Sequence, residues 1–520
     1  MGWSRGQFLS RRQRMSRFDY HIAISCPSKR RLPAAIISTV DICRIFHTLR
    51  CAAGAHQGVQ GMKGIFVVGA GPAGMFAARQ IALAGYETFI FNRDIRPGGL
   101  AQYGIYPLKT KMKSGLRKQF DQTLALPNVH YFGHVQIGSA YDLSLAELES
   151  FRPAAIVFAS GAQGAKRLGL TGEDALGIYA SKDFVYNYNQ LESHVARDFS
   201  SYRHIAVIGV GNVAIDVARW LLQDKPARYT ESVVIVARRG PLEVKFDKKE
   251  IEHVEPFIDR AELVAELNRV KDRCAKAGQD VSADKVIAQH FPHLTETPTA
   301  PTPARLSFRF LSSPKSFVAN AEGRVTQMVV AENELVSRSD GNTSARATGA
   351  TATLNVDTVL FAIGDTHDPD IGLPMGPEGY ATRPAEDPEA ASFEVWDPAA
   401  GEAHPGRFVV GWARKASTGL AGLARHDGEE GARKALEYVQ TVSDPYTLSA
   451  SAIRDQLAAK SLRIVEKPDL ILLAQAEQRL GAVAAPNSFH FKEEEEMFQA
   501  IDEEKARAAE AKTGPTAAAG

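Results

Sequence analysis

From Met62 onward one pattern recurs: four or so consecutive apolar residues, then glycines in several places, then apolar positions at helical spacing. The runs are Ile65 to Val68, Thr88 to Phe91, Ala155 to Phe158, Ile205 to Ile208 and Val233 to Val236. Because they do not alternate with polar residues, they belong to strands covered on both faces, which predicts parallel sheets flanked by helices. Helices are predicted from Met75 to Ala84 and from Ile215 to Leu222, behind the first and fourth runs. Met1 to about Gly61 shows neither periodicity. The stretch from Ala283 to Ala304 becomes Thr/Pro-rich toward its end and is predicted as loop. Beyond Val442 the chain reads as charged helix, closing on an Ala/Gly/Pro tail from Lys512.

The first and fourth runs lead straight into Gly69-Ala70-Gly71-Pro72-Ala73-Gly74 and Gly209-Val210-Gly211-Asn212-Val213-Ala214. Between a strand and a helix, the first glycine of such a motif makes the tight turn. The second lets a pyrophosphate approach the backbone, and the third lets helix and strand pack closely. Phosphate oxygens then rest on free N–H groups at the positive end of the helix. Alanine at the third position of the second copy is a permitted variant. The strand after that copy ends in Ala237-Arg238-Arg239-Gly240, where a reader of NAD presents an acid to the ribose 2′-hydroxyl. Two guanidiniums suit a 2′-phosphate instead, so NADP is the expected nucleotide.

Composition narrows the chemistry. At 520 residues, 44% hydrophobic and 23% charged, the chain has the make-up of a globular protein with several packing units. Its first 60 residues hold ten Lys/Arg against two Asp/Glu, leaving 51 against 58 for the rest, so the folded part lacks the basic excess of a nucleic-acid binder. No apolar run reaches the roughly 18 residues of a membrane span. Arg11, Arg12, Arg14 and Arg17 would suit a mitochondrial transit peptide; the plainer reading is a non-folding extension, or a start codon placed upstream of Met62. A cytoplasmic location is expected, or the mitochondrial matrix if the arginines are a transit signal. Cys26, Cys43 and Cys51 lie in that stretch and only Cys274 follows it. This excludes a disulfide framework, a four-Cys zinc site, a resident iron–sulfur cluster and a CxxC pair. No metal ligands and no catalytic acid, base or nucleophile are assigned, and electron chemistry falls to a bound organic cofactor.

With Gly209 to Arg219 and Arg238-Arg239-Gly240-Pro241-Leu242 in view, the chain resembles the adrenodoxin-reductase-like family of ferredoxin–NADP reductases, from about Lys63 to Ile501. The glutamate synthase small subunit is a more distant relative. Leu306 to Pro314, Phe408-Val409-Val410-Gly411-Trp412 and Ser417-Thr418-Gly419-Leu420 add to the likeness. The resemblance implies an α/β fold with two Rossmann-like domains, one for FAD and one for NADP, the NADP domain inserted into the FAD domain. The implied limits are an extension over 1–61, FAD-domain parts over 62–165 and 355–505, the NADP domain over 166–354, and a disordered tail over 506–520. It places Gly69, Gly71, Pro72, Ala73, Gly74, Asn92, Arg93, Gly99, Leu100, Gly161, Gly411 and Trp412 at the flavin, with Thr418, Gly419 and Leu420 near flavin and nicotinamide. Gly209, Gly211, Asn212 and Val213 would meet the NADP pyrophosphate, Arg238 and Arg239 its 2′-phosphate, and Glu250 would sit near its adenosine half.

The chain departs from the family at three places. Asn92 stands where an acid would take the FAD ribose, with Asp94 as a substitute; Tyr103 to Lys109 replaces a Pro-Asp-His segment; and Glu252 and His253 lie where carrier-docking members are basic. Lys109, Lys111, Lys113, Arg117 and Lys118 form a candidate replacement patch for an acidic partner, with a solvated helix start as the plain reading. The implied activity is transfer of electrons from NADPH through FAD to a ferredoxin-type carrier. The alternatives are a donor subunit for a separate enzyme, a flavin reductase or oxidase, and a nucleotide-sensing module.

Overall fold

The computed structural model describes residues 63–189, 191, 202–224, 230–339, 341–384, 392–416, 421–443, 447–484 and 490–513. The N-terminal extension and the end of the tail lie outside them. All five apolar runs are strands. In chain order the first elements are β1 (Gly64–Val68), α1 (Pro72–Leu83), β2 (Glu87–Asn92), α2 (Leu100–Tyr103), α3 (Thr110–Leu124), β3 (Val129–Gly133), α4 (Leu145–Ser150) and β4 (Ala155–Phe158). Next come β5 (Ile178–Ala180), α5 (Ser181–Tyr188), β6 (His204–Ile208), α6 (Asn212–Arg219), β7 (Ser232–Val236), α7 (Lys248–Ile251), α8 (Arg260–Ala275), α9 (Ala283–His290) and β8 (Arg305–Arg309). The chain continues through β9 (Ser312–Ala319), β10 (Val325–Ser337), β11 (Thr343–Asn355), β12 (Thr358–Phe361), β13 (Glu394–Asp397) and β14 (Glu402–Val409). Four helices close it: α10 (Ala421–Thr441), α11 (Ala450–Ala459), α12 (Lys467–Ala484) and α13 (Glu494–Thr513).

Two sheets organise these elements. The first runs β13-β14-β4-β1-β2-β3 and is parallel apart from the β13–β14 pair; the second runs β5-β12-β6-β7-β8, all parallel. Since β13 and β14 return to the first sheet after the whole second sheet is made, the second Rossmann-like unit is inserted into the first, as the resemblance implied. Where the chain leaves and re-enters, Gly164–Ala165 and Asp365–Thr366 pair antiparallel. Strand β12 pairs with β6, so the return to the first sheet comes at Glu394 rather than at the expected 355.

One face of the first sheet is an aromatic layer of Phe66, Phe89, Phe91, Phe132 and Phe151, all at most 1% exposed. The other buries α1 and α10. The second sheet buries α5, α6, α8 and α9 on one side; on the other it meets Phe317, Met328 and Val330 of the antiparallel sheet β9-β10-β11. Two expectations need correction. The predicted loop at Ala283 begins with helix α9, because Val286 and Ile287 bury its inner face while the Thr/Pro signal belongs to residues further on. The expected disordered tail at 506 is helix as far as Thr513. Among the described residues no helix is long and apolar enough to cross a membrane.

Candidate functional site: two glycine cradles

At the end of β1 the chain turns at Gly69 with φ +102°, a value only glycine takes easily. A Cβ there would lie 2.5 Å from the Ala159 carbonyl oxygen, and one on Gly74 would lie 2.0 Å from that of Gly69. Gly71 differs: nothing stands within 4 Å of the Cβ it lacks, so the turn is closed against the sheet and open on its outer side. Helix α1 starts there with Pro72 in its first turn, no side-chain cap and no acid. Its free N–H groups face outward as an anion seat. By contrast α4 is capped by Ser144 and Glu147 and α8 by Asp259.

Gly98 and Gly99 fold over the seat. The Gly98 N–H donates to the Ala70 carbonyl at 2.8 Å, and the absent Gly99 Cβ would come within 3.2 Å of the Gly71 Cα. Asn92, expected at the ribose, is 6% exposed and fully engaged. Its Oδ1 accepts from the Ala70 N–H at 2.9 Å, and its Nδ2 lies within hydrogen-bond distance of the Asp94 carbonyl (2.7 Å), the Arg96 carbonyl (3.0 Å) and the Tyr131 hydroxyl (3.1 Å). It braces the loop from beneath. Asp94 pairs with Arg93 at 2.8 Å, and Arg93 also donates to Gln163 at 3.1 Å beside Gly161, φ +69°. Leu100 opens α2 beyond the folded glycines.

The loop is clamped from the far end of the chain. Arg96, 13% exposed, makes two bonds to the Glu477 carboxylate on α12, which also accepts from the Phe491 N–H at 3.0 Å. Ile95 packs with Leu473 and Met497 of the C-terminal helices. No sequence signal marks this clamp, because its partners are 381 positions apart.

The second cradle repeats the first. Gly209 has φ +122° with its absent Cβ 2.2 Å from the Ala362 carbonyl oxygen, and Gly211 has nothing within 4 Å. Helix α6 likewise starts without side-chain cap or acid. The third position is Ala214, wholly buried, so helix and turn stand far enough apart to admit a methyl group. Asn212 and Asp247 exchange two bonds of 2.8 Å, which ties the side chain to the neighbouring loop. Val213 is 43% exposed. Arg238 is exposed and Arg239 half-buried at the end of β7, and among the described residues neither guanidinium has an acidic partner.

Lys109 links the cradles. Following the loop of the first, its Nζ lies 2.7 Å from Glu250 and 3.3 Å from Asp216 on α6. Burial pushes the Asp216 carboxyl up to about 6 against the pull of Lys109. Arg219 of α6 lies over the Tyr106 ring at 4.6 Å, in the same connecting segment. Glu250 is thus held by a residue of the first unit, and Lys109 is withdrawn from the basic patch.

The late glycine also meets the first cradle. Gly411 has φ +65°, and its absent Cβ would fall 2.6 Å from that of Ala73. Asp427 of α10 accepts from the Gly411 N–H and pairs with Arg414, which gives it a structural task. Gly428, one residue on, lets α10 lie against the Ala73 carbonyl, 2.2 Å from where a Cβ would be. Trp412 is half-buried, and its carbonyl faces His367 Nε2 at 2.6 Å. Thr418, Gly419 and Leu420 lie outside the described residues. Among those residues no cluster of His, Cys, Asp or Glu could hold a metal ion.

Both turns therefore suit a dinucleotide: each is closed by contacts on the sheet side and presents uncapped amides on the other. Comparison with known proteins agrees. The family described as pyridine nucleotide-disulphide oxidoreductase matches residues 63–287. The NADPH-ferredoxin reductase FprA of Mycobacterium leprae is 32% identical over 414 residues, covering 73% of this chain and 85% of the relative. The mitochondrial NADPH:adrenodoxin oxidoreductase of Arabidopsis thaliana is 28% identical over 395 residues, 70% of this chain and 80% of that one. Among solved structures, Mycobacterium tuberculosis FprA in complex with NADPH superposes with a TM-score of 0.70 at 26% identity, covering 85% of this chain and all of the other. On this shared sequence and architecture, the chain belongs to the adrenodoxin reductase/FprA family of pyridine nucleotide-disulphide oxidoreductases, enzymes of the ferredoxin/adrenodoxin–NADP reductase type.

Proposed function

We propose that the chain holds FAD in the first cradle and NADPH in the second, and passes electrons from NADPH to a ferredoxin-type iron–sulfur carrier. The observation that carries the reading is the pair of uncapped glycine turns, the second followed by two guanidiniums with no acid beside them. A bound flavin would supply the chemistry, accepting one hydride, and so two electrons, from reduced nicotinamide and being able to give up the two electrons singly. The protein supplies position. Gly69, Gly71 and Gly74 admit the pyrophosphate of FAD to the first turn of α1, the Gly98-Gly99 loop covers it, and Gly411 brings the late segment to the same turn. Gly209, Gly211 and the N–H groups of Asn212 and Val213 seat the NADPH pyrophosphate, while Arg238 and Arg239 take its 2′-phosphate. No side chain is assigned as acid or base, since hydride transfer requires alignment and exclusion of water.

The relatives named as NADPH-ferredoxin and NADPH:adrenodoxin reductases support the same acceptor class. The test is to purify the full chain, record its visible spectrum, and titrate NADPH and NADH without oxygen before adding ferredoxins. A yellow protein bleached far faster by NADPH and reoxidised by ferredoxin is expected. Colourless protein that takes up no flavin, or equal bleaching by both nucleotides, overturns the corresponding half of the reading.

A further inference from the structure

The Proposed function leaves open where the carrier sits, and α3 offers a surface. Leu108, in the turn before α3, and Met112, in its first turn, are 59% and 51% exposed. Lys111 and Lys118, two helical turns apart on one side of α3, and Arg117 are also exposed, and among the described residues none of the three forms an ion pair. The first acid on the helix is Asp121, a turn beyond. Cations gathered in the first turns of α3, with no acid there, oppose the helix dipole, so helix stability does not account for them. Two other members of the sequence patch are engaged internally: Lys109 with Glu250 and Asp216, and Lys113 with Asn189 Oδ1 at 2.8 Å.

The position of the patch matters as much as its charge. Arg117 donates to Gln102 of α2 at 2.9 Å, and Asn189, the partner of Lys113, donates to the Tyr103 carbonyl at 2.9 Å. The helix is therefore fixed to the segment that follows the covering loop of the first cradle. Through Lys109 its N-terminus is also joined to α6 of the second.

We propose that the exposed side of α3, with Lys111 and Lys118 along its middle, Arg117 toward one border and Met112 with Leu108 toward the other, forms the docking face for a small acidic iron–sulfur electron carrier. The cations steer an acidic partner, with an on-rate that falls as salt rises, and the apolar pair adds a dry contact at the border of the face. This rests on the electron-transfer reading above and assigns its partner surface.

The test uses the full-length flavin-loaded chain and two double variants, Lys111→Glu with Lys118→Glu and Leu108→Glu with Met112→Glu. Each is checked for wild-type flavin absorbance and circular dichroism. NADPH-driven reduction of a plant-type two-iron and a bacterial four-iron ferredoxin is measured across ionic strength, beside ferricyanide as a small acceptor. Charge reversal should raise KM for ferredoxin at least tenfold at low salt and flatten its salt dependence. The apolar variant should lower ferredoxin turnover at every salt concentration, and ferricyanide reduction should be unchanged in both. Wild-type protein that reduces ferredoxin while both variants do so with the same KM and salt slope overturns the docking face and leaves the Proposed function standing. Wild-type protein that reduces ferricyanide but neither ferredoxin removes the carrier from that function and this face with it. If the apolar variant only converts a dimer to a monomer, with carrier reduction intact, the face joins copies of the chain and the proposal is wrong.

Discussion

The two cradles share a turn and differ in their surroundings. The first is roofed by Gly98 and Gly99, braced by Asn92, met by Gly411 and clamped through Arg96 to the C-terminal helices. The second has an exposed Val213, an Asn212–Asp247 pair at the surface, and an exposed Arg238 beside a half-buried Arg239. Even the third motif position follows this difference, glycine where helix and turn touch and alanine where they stand apart. A site enclosed by distant parts of the chain suits a cofactor that stays, and an open one suits a nucleotide that exchanges at every turnover.

The largest effect should come from Gly74→Val, whose side chain would enter the Gly69 carbonyl. Overpacking of this kind costs about 1–3 kcal/mol or more. The outcome is protein that loses its flavin band or fails to fold, read by the ratio of visible to protein absorbance and by Tm. Ala214→Gly at the matching position should leave flavin content intact and lower stability by about 1 kcal/mol. Equal loss in the two variants would erase the contrast.

Next is Glu477→Ala, which leaves the Arg96 guanidinium without its partner. Breaking a buried pair costs about 3–5 kcal/mol, and toward the lower end here because both groups keep some exposure. Faster flavin release, followed by fluorescence, should accompany the lower Tm, while NADPH affinity changes little. Arg238→Ala and Arg239→Ala should do the reverse. On the proposed 2′-phosphate role, each would remove charge-assisted bonds of about 1.5–3 kcal/mol, about ten- to a hundredfold in the NADPH/NADH ratio of kcat/KM, with flavin retained.

The smallest effect concerns the link between the cradles. Burial holds the Asp216 carboxyl at about 6 in the folded chain, above its ordinary 3.8, so the folded state binds more protons than the unfolded one between those values. Stability contributed by this group therefore falls as pH rises through that window. Asp216→Asn should flatten the fall by about 1–2 kcal/mol, seen as a smaller difference between urea midpoints at about pH 4.5 and pH 7.5.

What the sequence showed was what is local. The five apolar runs are strands because four consecutive buried residues fit a covered sheet, and both turns follow from glycines fixed within six positions. Strand β3, Val129–Gly133, went unpredicted because His130 interrupts its apolar run. Helix α9 was hidden by the prolines beyond it. Of the site, glycine spacing and the arginine pair were legible, but side-chain use was not. Asn92 was legible as a ribose candidate, but its bond to the Ala70 N–H was not. Asp427, Glu477 and the Lys109–Glu250 pair act on groups 16 to 381 positions away, and no periodicity encodes such meetings.

Strand β14 carries a consequence for biosynthesis. It pairs with β4 through Arg407, Phe408 and Val409, so that until it emerges from the ribosome β4 is the unpaired, wholly apolar rim of a partial sheet. At roughly 5–20 residues per second that rim stays open for some tens of seconds while the inserted unit is synthesised. An open apolar strand edge invites pairing with other nascent chains. Attack by aggregation is therefore greatest before the second half arrives, and a chaperone that shields β4 during that interval would raise the yield of active enzyme more than one acting on the finished polypeptide.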